Sequence, residues 1–87
     1  MALTFPNASR AFDKKRNSVS FWGYDSTKEV TFDLDEDALH AISPDMRHDE
    51  ASSLLVFDSN RALIEHAASG AYKRRPQCYH RLSASDF

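Results

Sequence analysis

Two hydrophobic periods divide this chain. Between Ser18 and Leu34 the apolar positions alternate: Val19, Phe21 and Gly23 in one run, Val30, Phe32 and Leu34 in the next. Period two is the mark of a strand with one buried face. Asp25-Ser26-Thr27-Lys28, between the runs, is a polar loop of turn-formers suited to a four-residue connection. The pattern predicts a hairpin of strands 18–24 and 29–34. With Tyr24 opposite Glu29, Gly23 meets Val30, Phe21 meets Phe32 and Val19 meets Leu34, all on one face. The other face receives Ser18, Ser20, Trp22 and Tyr24 against Glu29, Thr31 and Asp33. A one-residue slip would mix the two faces, so the pattern selects this register.

Upstream, Ser9 to Asp13 reads as a short strand joined to the hairpin by Lys14-Lys15-Arg16-Asn17, with Phe12 placed opposite Val19. Phe5 precedes Pro6, which biases it towards extended backbone. After Leu34 the period lengthens. Asp35 suits an N-cap, Glu36 and Asp37 suit the positive end of a helix, and Pro44 stops it, giving a short helix over 36–42. A long helix is expected from about Asp49 to about Tyr72. Leu54, Val56, Phe57, Leu63, Ile64, Ala67, Ala68, Ala71 and Tyr72 fall on roughly half of its circumference. Asn60 and Arg61 fall on that same half, which is unusual for polar residues. Pro76 ends the helix, and 78–82 can form a last strand. The expected fold is α+β: an antiparallel sheet of three to four strands, with the short and the long helix on its apolar face.

Composition narrows this picture without redirecting it. Eighty-seven residues make one domain, expected to span 1–87. Hydrophobic residues at 41% and charged residues at 28% are ordinary for a globular chain, so disorder is not expected. Residues 25–50 carry nine acids against Lys28 and Arg47, while the bases cluster at 10–16 and 72–81. Folding is expected to bring these blocks together and neutralise them in part. Cys78 is the one cysteine, too few for an intrachain disulfide or a cysteine-rich metal site. No apolar run approaches a membrane span, and Met1 to Pro6 lacks the basic lead and apolar core of a signal peptide. A cytoplasmic location is the expectation, which leaves the Asn7-Ala8-Ser9 sequon without consequence.

A family resemblance rests on particular stretches. These are Leu3-Thr4-Phe5-Pro6-Asn7, then Val19-Ser20-Phe21-Trp22-Gly23-Tyr24-Asp25 leading into Glu29-Val30-Thr31-Phe32. Ala38-Leu39, the Phe57, Arg61 and Ile64 spacing, Tyr72, Leu82 and Asp86-Phe87 continue it. On these the chain resembles a family of small bacterial proteins catalogued as domain of unknown function 1488. The resemblance covers nearly the whole chain and rests on packing and turn residues. It implies a compact α+β domain of the bacterial cytoplasm and transfers no activity, cofactor or catalytic residue.

The candidate chemistry is sparse. Trp22 and Tyr24, with Thr31 beside them on the polar face of the hairpin, form the best partner-binding candidate, since Trp and Tyr are enriched where proteins dock. Their alternative is a small second core beneath a terminal segment. Lys14, Lys15 and Arg16, and Lys73, Arg74 and Arg75, resemble phosphate-contacting patches. A net charge of −2 and an isoelectric point of about 6.0 argue against nucleic acid. A turn and a helix C-terminus also place cations there for reasons of solvation and dipole alone.

His40, His48, His66 and His80 include no pair four apart, so no metal or other cofactor is expected. Asp33, Asp35, Glu36 and Asp37 read as helix-capping acids rather than an acid/base pair. Arg61 is expected to pair with one of them and fix the helix on the sheet. With only Gly23 and Gly70 there is no glycine-rich phosphate cradle, and no nucleophile–base pair or small-molecule site can be named. The expectation is a non-enzymatic module that binds an unknown protein or a second copy of itself. A nucleic-acid-associated regulator is the alternative, and an enzyme comes last.

Overall fold

The alternating stretch folds back on itself in the expected register. In the computed structural model, which describes residues 3–6 and 9–87, Val19 lies opposite Leu34, Phe21 opposite Phe32, Gly23 opposite Val30 and Tyr24 opposite Glu29. Pairing runs one step further than expected, to Asp25 and Lys28, so the connection is the two residues Ser26 and Thr27. Ser26 takes the tight corner with φ of 59°, a left-handed conformation that costs a residue with a side chain about 1–2 kcal/mol. Asn7 of the sequon, with Ala8 and the Met1-Ala2 start, lies outside the described residues.

Among the described residues the elements run β1 (Leu3–Thr4), β2 (Arg10–Asp13), β3 (Ser18–Asp25), β4 (Lys28–Leu34), α1 (Glu36–Ile42), α2 (Glu50–Ser59), α3 (Arg61–Arg74) and β5 (Tyr79–Leu82). A 3-10 turn, Ala84–Asp86, follows. The β1 and β2 strands share one edge of β3, antiparallel to it, with Phe12 opposite Val19 as expected. On the far side β5 lies parallel to β4, pairing Phe32 with His80 and Leu34 with Leu82. The sheet thus has five strands, one more than the upper expectation, and is antiparallel except at β5. The helices carry the chain from the end of β4 back to its start, which makes the last strand parallel.

One sheet face and the helices make the core. Val19, Phe21, Val30, Phe32 and Leu34 join Ala38, Leu39, Phe57, Ile64, Ala68, Tyr72 and Leu82 in one buried cluster. The rings of Phe21 and Phe57 lie 5.2 Å apart, joining β3 to α2. Each fully buried Val, Leu, Ile or Phe among them contributes about 1.5–3 kcal/mol. Gly23 stands where β1 crosses this face. A Cβ there would lie 2.9 Å from Phe5 Cε1 and 3.2 Å from the Thr4 carbonyl, so only glycine leaves room for the N-terminal segment.

Helix α1 matches the expected 36–42, with the Asp35 carboxylate accepting from the Ala38 amide at 2.9 Å. The expected long helix over 49–72 is two helices broken at Asn60. The Asn60 amide and side-chain Nδ2 both donate to the Val56 carbonyl, at 3.1 and 2.9 Å, closing α2 before α3 begins. The break resets the helical phase. It lets Phe57 and Ile64 both face the sheet while Asn60 and Arg61 escape the core. It also turns Leu63 outward, 49% exposed, where the single-helix stripe had placed it inside.

Candidate functional site

The sheet face turned away from the helices carries its side chains in rows across three strands. Trp22 on β3 neighbours Thr31 on β4, which neighbours Tyr79 on β5. The next row is Ser20, Asp33 and Arg81, and on the other side Tyr24 sits beside Glu29. Trp22, Tyr24 and Thr31 are half-buried and outside the core cluster, so the two rings do not lie beneath the helices. Tyr79 is 47% exposed. The Tyr24 hydroxyl donates to Glu29 Oε2 at 3.0 Å, and this bond to a carboxylate raises the phenol's pKa above its ordinary value.

Asp33 organises the face from beneath. It is buried at 6% exposure, and its two oxygens accept from the Ser20 hydroxyl and, at 2.6 Å, from the Tyr79 hydroxyl. Arg16 Nη2 lies 3.2 Å from the same carboxylate and donates to Tyr79 Oη at 3.3 Å. A buried carboxylate with three partners has its acceptor oxygens satisfied and holds the Tyr79 ring at a fixed place. The sequence names Trp22, Tyr24 and Thr31 for this face but not Tyr79, because nothing in a four-residue strand says which neighbour it will choose. The usable signal was the alternation of Tyr79 and Arg81 with His80 and Leu82.

Each basic run gives one arginine to an internal pair, Arg16 to Asp33 and Arg74 to Asp86. Lys14, Lys15 and Arg16 occupy the exposed β2–β3 turn, where the Lys15 amide donates to Asp13 Oδ1 at 2.9 Å and Asn17 has φ of 50°. Lys73, Arg74 and Arg75 lie at the C-terminal end of α3. Arg74 sits 3.5 Å from Asp86, and Arg81 sits 3.7 Å from Asp35. With Arg75, His80 and Asp86 these two arginines line a cleft of about 380 Å³. Arg61 does not reach the acids at 33–37. Its Nη1 lies 3.2 Å from Glu65 Oε2, one turn on, and its guanidinium covers the Phe57 ring at 4.7 Å. The helix break carries it there, and Asp33 and Asp35 already hold Arg16 and Arg81.

The histidines do meet, though not as a same-helix pair. His40 on α1 and His48 on the loop before α2 approach at 3.3 Å, Nε2 to Nδ1, with Glu36 Oε2 3.2 Å from the same Nδ1. The three donor atoms all lie within 4.8 Å of one another. A search for histidines four apart misses this set because the helical pair is Glu36 and His40, and the third member returns from beyond Pro44. His80, by contrast, is buried against the Phe32 ring.

Fold and surface together define a small α+β domain whose sheet has one face under helices and the other set with aromatic and charged rows. A family model described as "Protein of unknown function (DUF1488)" matches residues 3–81, and the chain belongs to that family. No curated protein and no solved structure matches it. Among the described residues no helix is long and apolar enough to cross a membrane.

Proposed function

We propose that this domain is a non-enzymatic binding module that docks a protein surface, a partner's or that of a second copy, through the outer face of its sheet. The observation that carries the reading is the row of Trp22, Thr31 and Tyr79 with Tyr24 at its side, on the face that the helices leave. Tryptophan and tyrosine supply large amphipathic contact area with little side-chain entropy to lose. Here a sheet and the buried Asp33 hold the rings in place before any partner arrives. A cytoplasmic setting accords with the exposed free thiol of Cys78. Nucleic acid is the weaker reading, because Arg16, Arg74 and Arg81 each face a carboxylate of the same chain.

Light scattering across a concentration series tests self-association, and capture with the immobilised full chain tests a separate partner. The expected result is a species above 9.9 kDa, or a captured protein, whose affinity falls at least about tenfold in Trp22→Ala. The melting temperature of that variant should stay close to the parent's, since the ring lies outside the core. A monomer at millimolar concentration that captures nothing, or binding indifferent to both Trp22→Ala and Tyr24→Ala, overturns the proposal.

A further inference from the structure

A second surface, independent of the outer sheet face, has the chemistry of a metal site. Glu36 and His40 are four apart on α1, so their side chains rise from the same side of the helix. The helix stops at Ile42, and the Met46 amide bonds the Ser43 carbonyl at 3.1 Å while the Met46 side chain is buried at 8% exposure. That anchor turns the chain back. Asp49 then caps α2 through the Ser52 amide, fixing the position of His48 immediately before it. Three elements of local structure thus bring one carboxylate and two imidazoles to a common point.

Two of the three donor–donor distances match coordination, and the third lies within 4.8 Å. Ligands about 2.0–2.1 Å from a tetrahedral ion stand about 3.3 Å from one another. His40 Nε2 to His48 Nδ1 is 3.3 Å, and His48 Nδ1 to Glu36 Oε2 is 3.2 Å. Without an ion the arrangement is poorly satisfied. If His48 Nδ1 carries a proton, that one hydrogen faces both a carboxylate oxygen and a ring nitrogen. If it does not, it can accept from a His40 Nε2–H, but its lone pair then also faces the carboxylate. A cation gives each lone pair its own partner.

The surroundings favour a dication as well. Asp35, Asp37, Asp45, Asp49 and Glu50 flank the set in sequence against Arg47 alone, and Arg16 and Arg81, which border the same acids, are held by Asp33 and Asp35. Two imidazoles select against magnesium and calcium, which take oxygen ligands, and suit zinc, nickel or copper. The His48 side chain is 69% exposed, so an ion can reach the cluster from solvent.

We propose that Glu36, His40 and His48 form a binding site for one divalent transition-metal ion of the zinc class, with an open fourth position. The test is a calorimetric titration of the metal-stripped full chain with Zn²⁺ alone, repeated with Co²⁺ to read the coordination number from its visible absorption. Binding of one ion per chain at micromolar concentration is expected, with the intense visible band of four-coordinate cobalt. Affinity should fall at least about tenfold in His48→Ala and in His40→Ala. The exposed His66, on α3 and outside the set, should be replaceable by Ala without effect. The parent should also melt several degrees higher when Zn²⁺ exceeds its dissociation constant about a hundredfold, a rise absent from His48→Ala. Because His48 is exposed, that variant keeps the fold, and its metal-free melting temperature verifies this. No heat up to millimolar Zn²⁺, or an affinity that survives either substitution, overturns the proposal.

Discussion

At Gly23 a hydrogen atom faces the place where any other residue would put a carbon. Sequence alternation places Gly23 correctly in the apolar row opposite Val30, yet gives no reason for glycine there. The reason is the passage of Leu3 to Phe5 across the same spot, with the Phe5 ring packed at 6.0 Å from Phe21 and 6.1 Å from Phe32. Gly23→Ala is therefore expected to lower stability by about 1–3 kcal/mol, the usual range for overpacking a close-fitted site. Urea unfolding measures it, and faster amide exchange should appear in β1 and its partners Tyr24 and Asp25. An unchanged midpoint would mean that Leu3 to Phe5 do not pack against Gly23 in solution. Asp35 is the opposite case. Its role as N-cap of α1 is legible from neighbouring residues alone, because a cap is a contact between residues three apart.

Elements follow the same division. The hairpin register was legible because seventeen residues repeat one rule and a slip would break it everywhere at once. The division of α2 from α3 was legible only as an anomaly, the polar Asn60 and Arg61 on an apolar half. Period alone cannot say whether a helix tolerates such residues or stops at them. Here the side-chain bond from Asn60 to Val56 decides for stopping. What holds α2 in place is also polar. Arg10 shares the helix-side face with its partner Phe21 and makes two bonds to Asp58, 2.8 and 3.0 Å. That hydrogen bond keeps the Asp58 carboxyl below the usual carboxylate range, and the Ser52 amide does the same for Asp49. A carboxyl whose pKa is lowered by folding contributes stability above its unfolded value, about 3.9, and loses it as the pH falls through the folded value. Thermal melts of Asp58→Asn should thus lie below the parent at pH 7, and the gap should close as the pH drops below the ordinary carboxylate range. Both groups are solvent-exposed, so the effect is modest and shrinks with salt. A gap that is constant down to the lowest pH would show that the charge of Asp58 is not what ties β2 to α2.

For the whole molecule the links that matter join positions far apart in the chain. Tyr72 donates to Asp25 at 2.7 Å, Tyr79 reaches Asp33, Arg16 reaches Tyr79, and Leu82 closes a core opened by Val19. None of these is visible in a local pattern, and neither is the parallel direction of β5 or the meeting of Glu36 with His48. They also decide how the domain should unfold. Helices of seven, ten and fourteen residues are too short to persist alone in water, and a sheet stripped of them would present six large apolar side chains to solvent, Val19, Phe21, Val30, Phe32, Leu34 and Leu82. One core cluster made by both layers leaves no stable half. Trp22, the single tryptophan, reports the outer sheet face, while far-UV ellipticity reports chiefly the helices on the other side. The two signals should give coincident urea midpoints and one cooperative transition. A partner bound to the Trp22 face should raise both by the same amount, since binding to the native state alone stabilises every element that unfolds with it. Separate midpoints would mean that the sheet stands without its helices, and the docking face would then owe nothing to the core behind it.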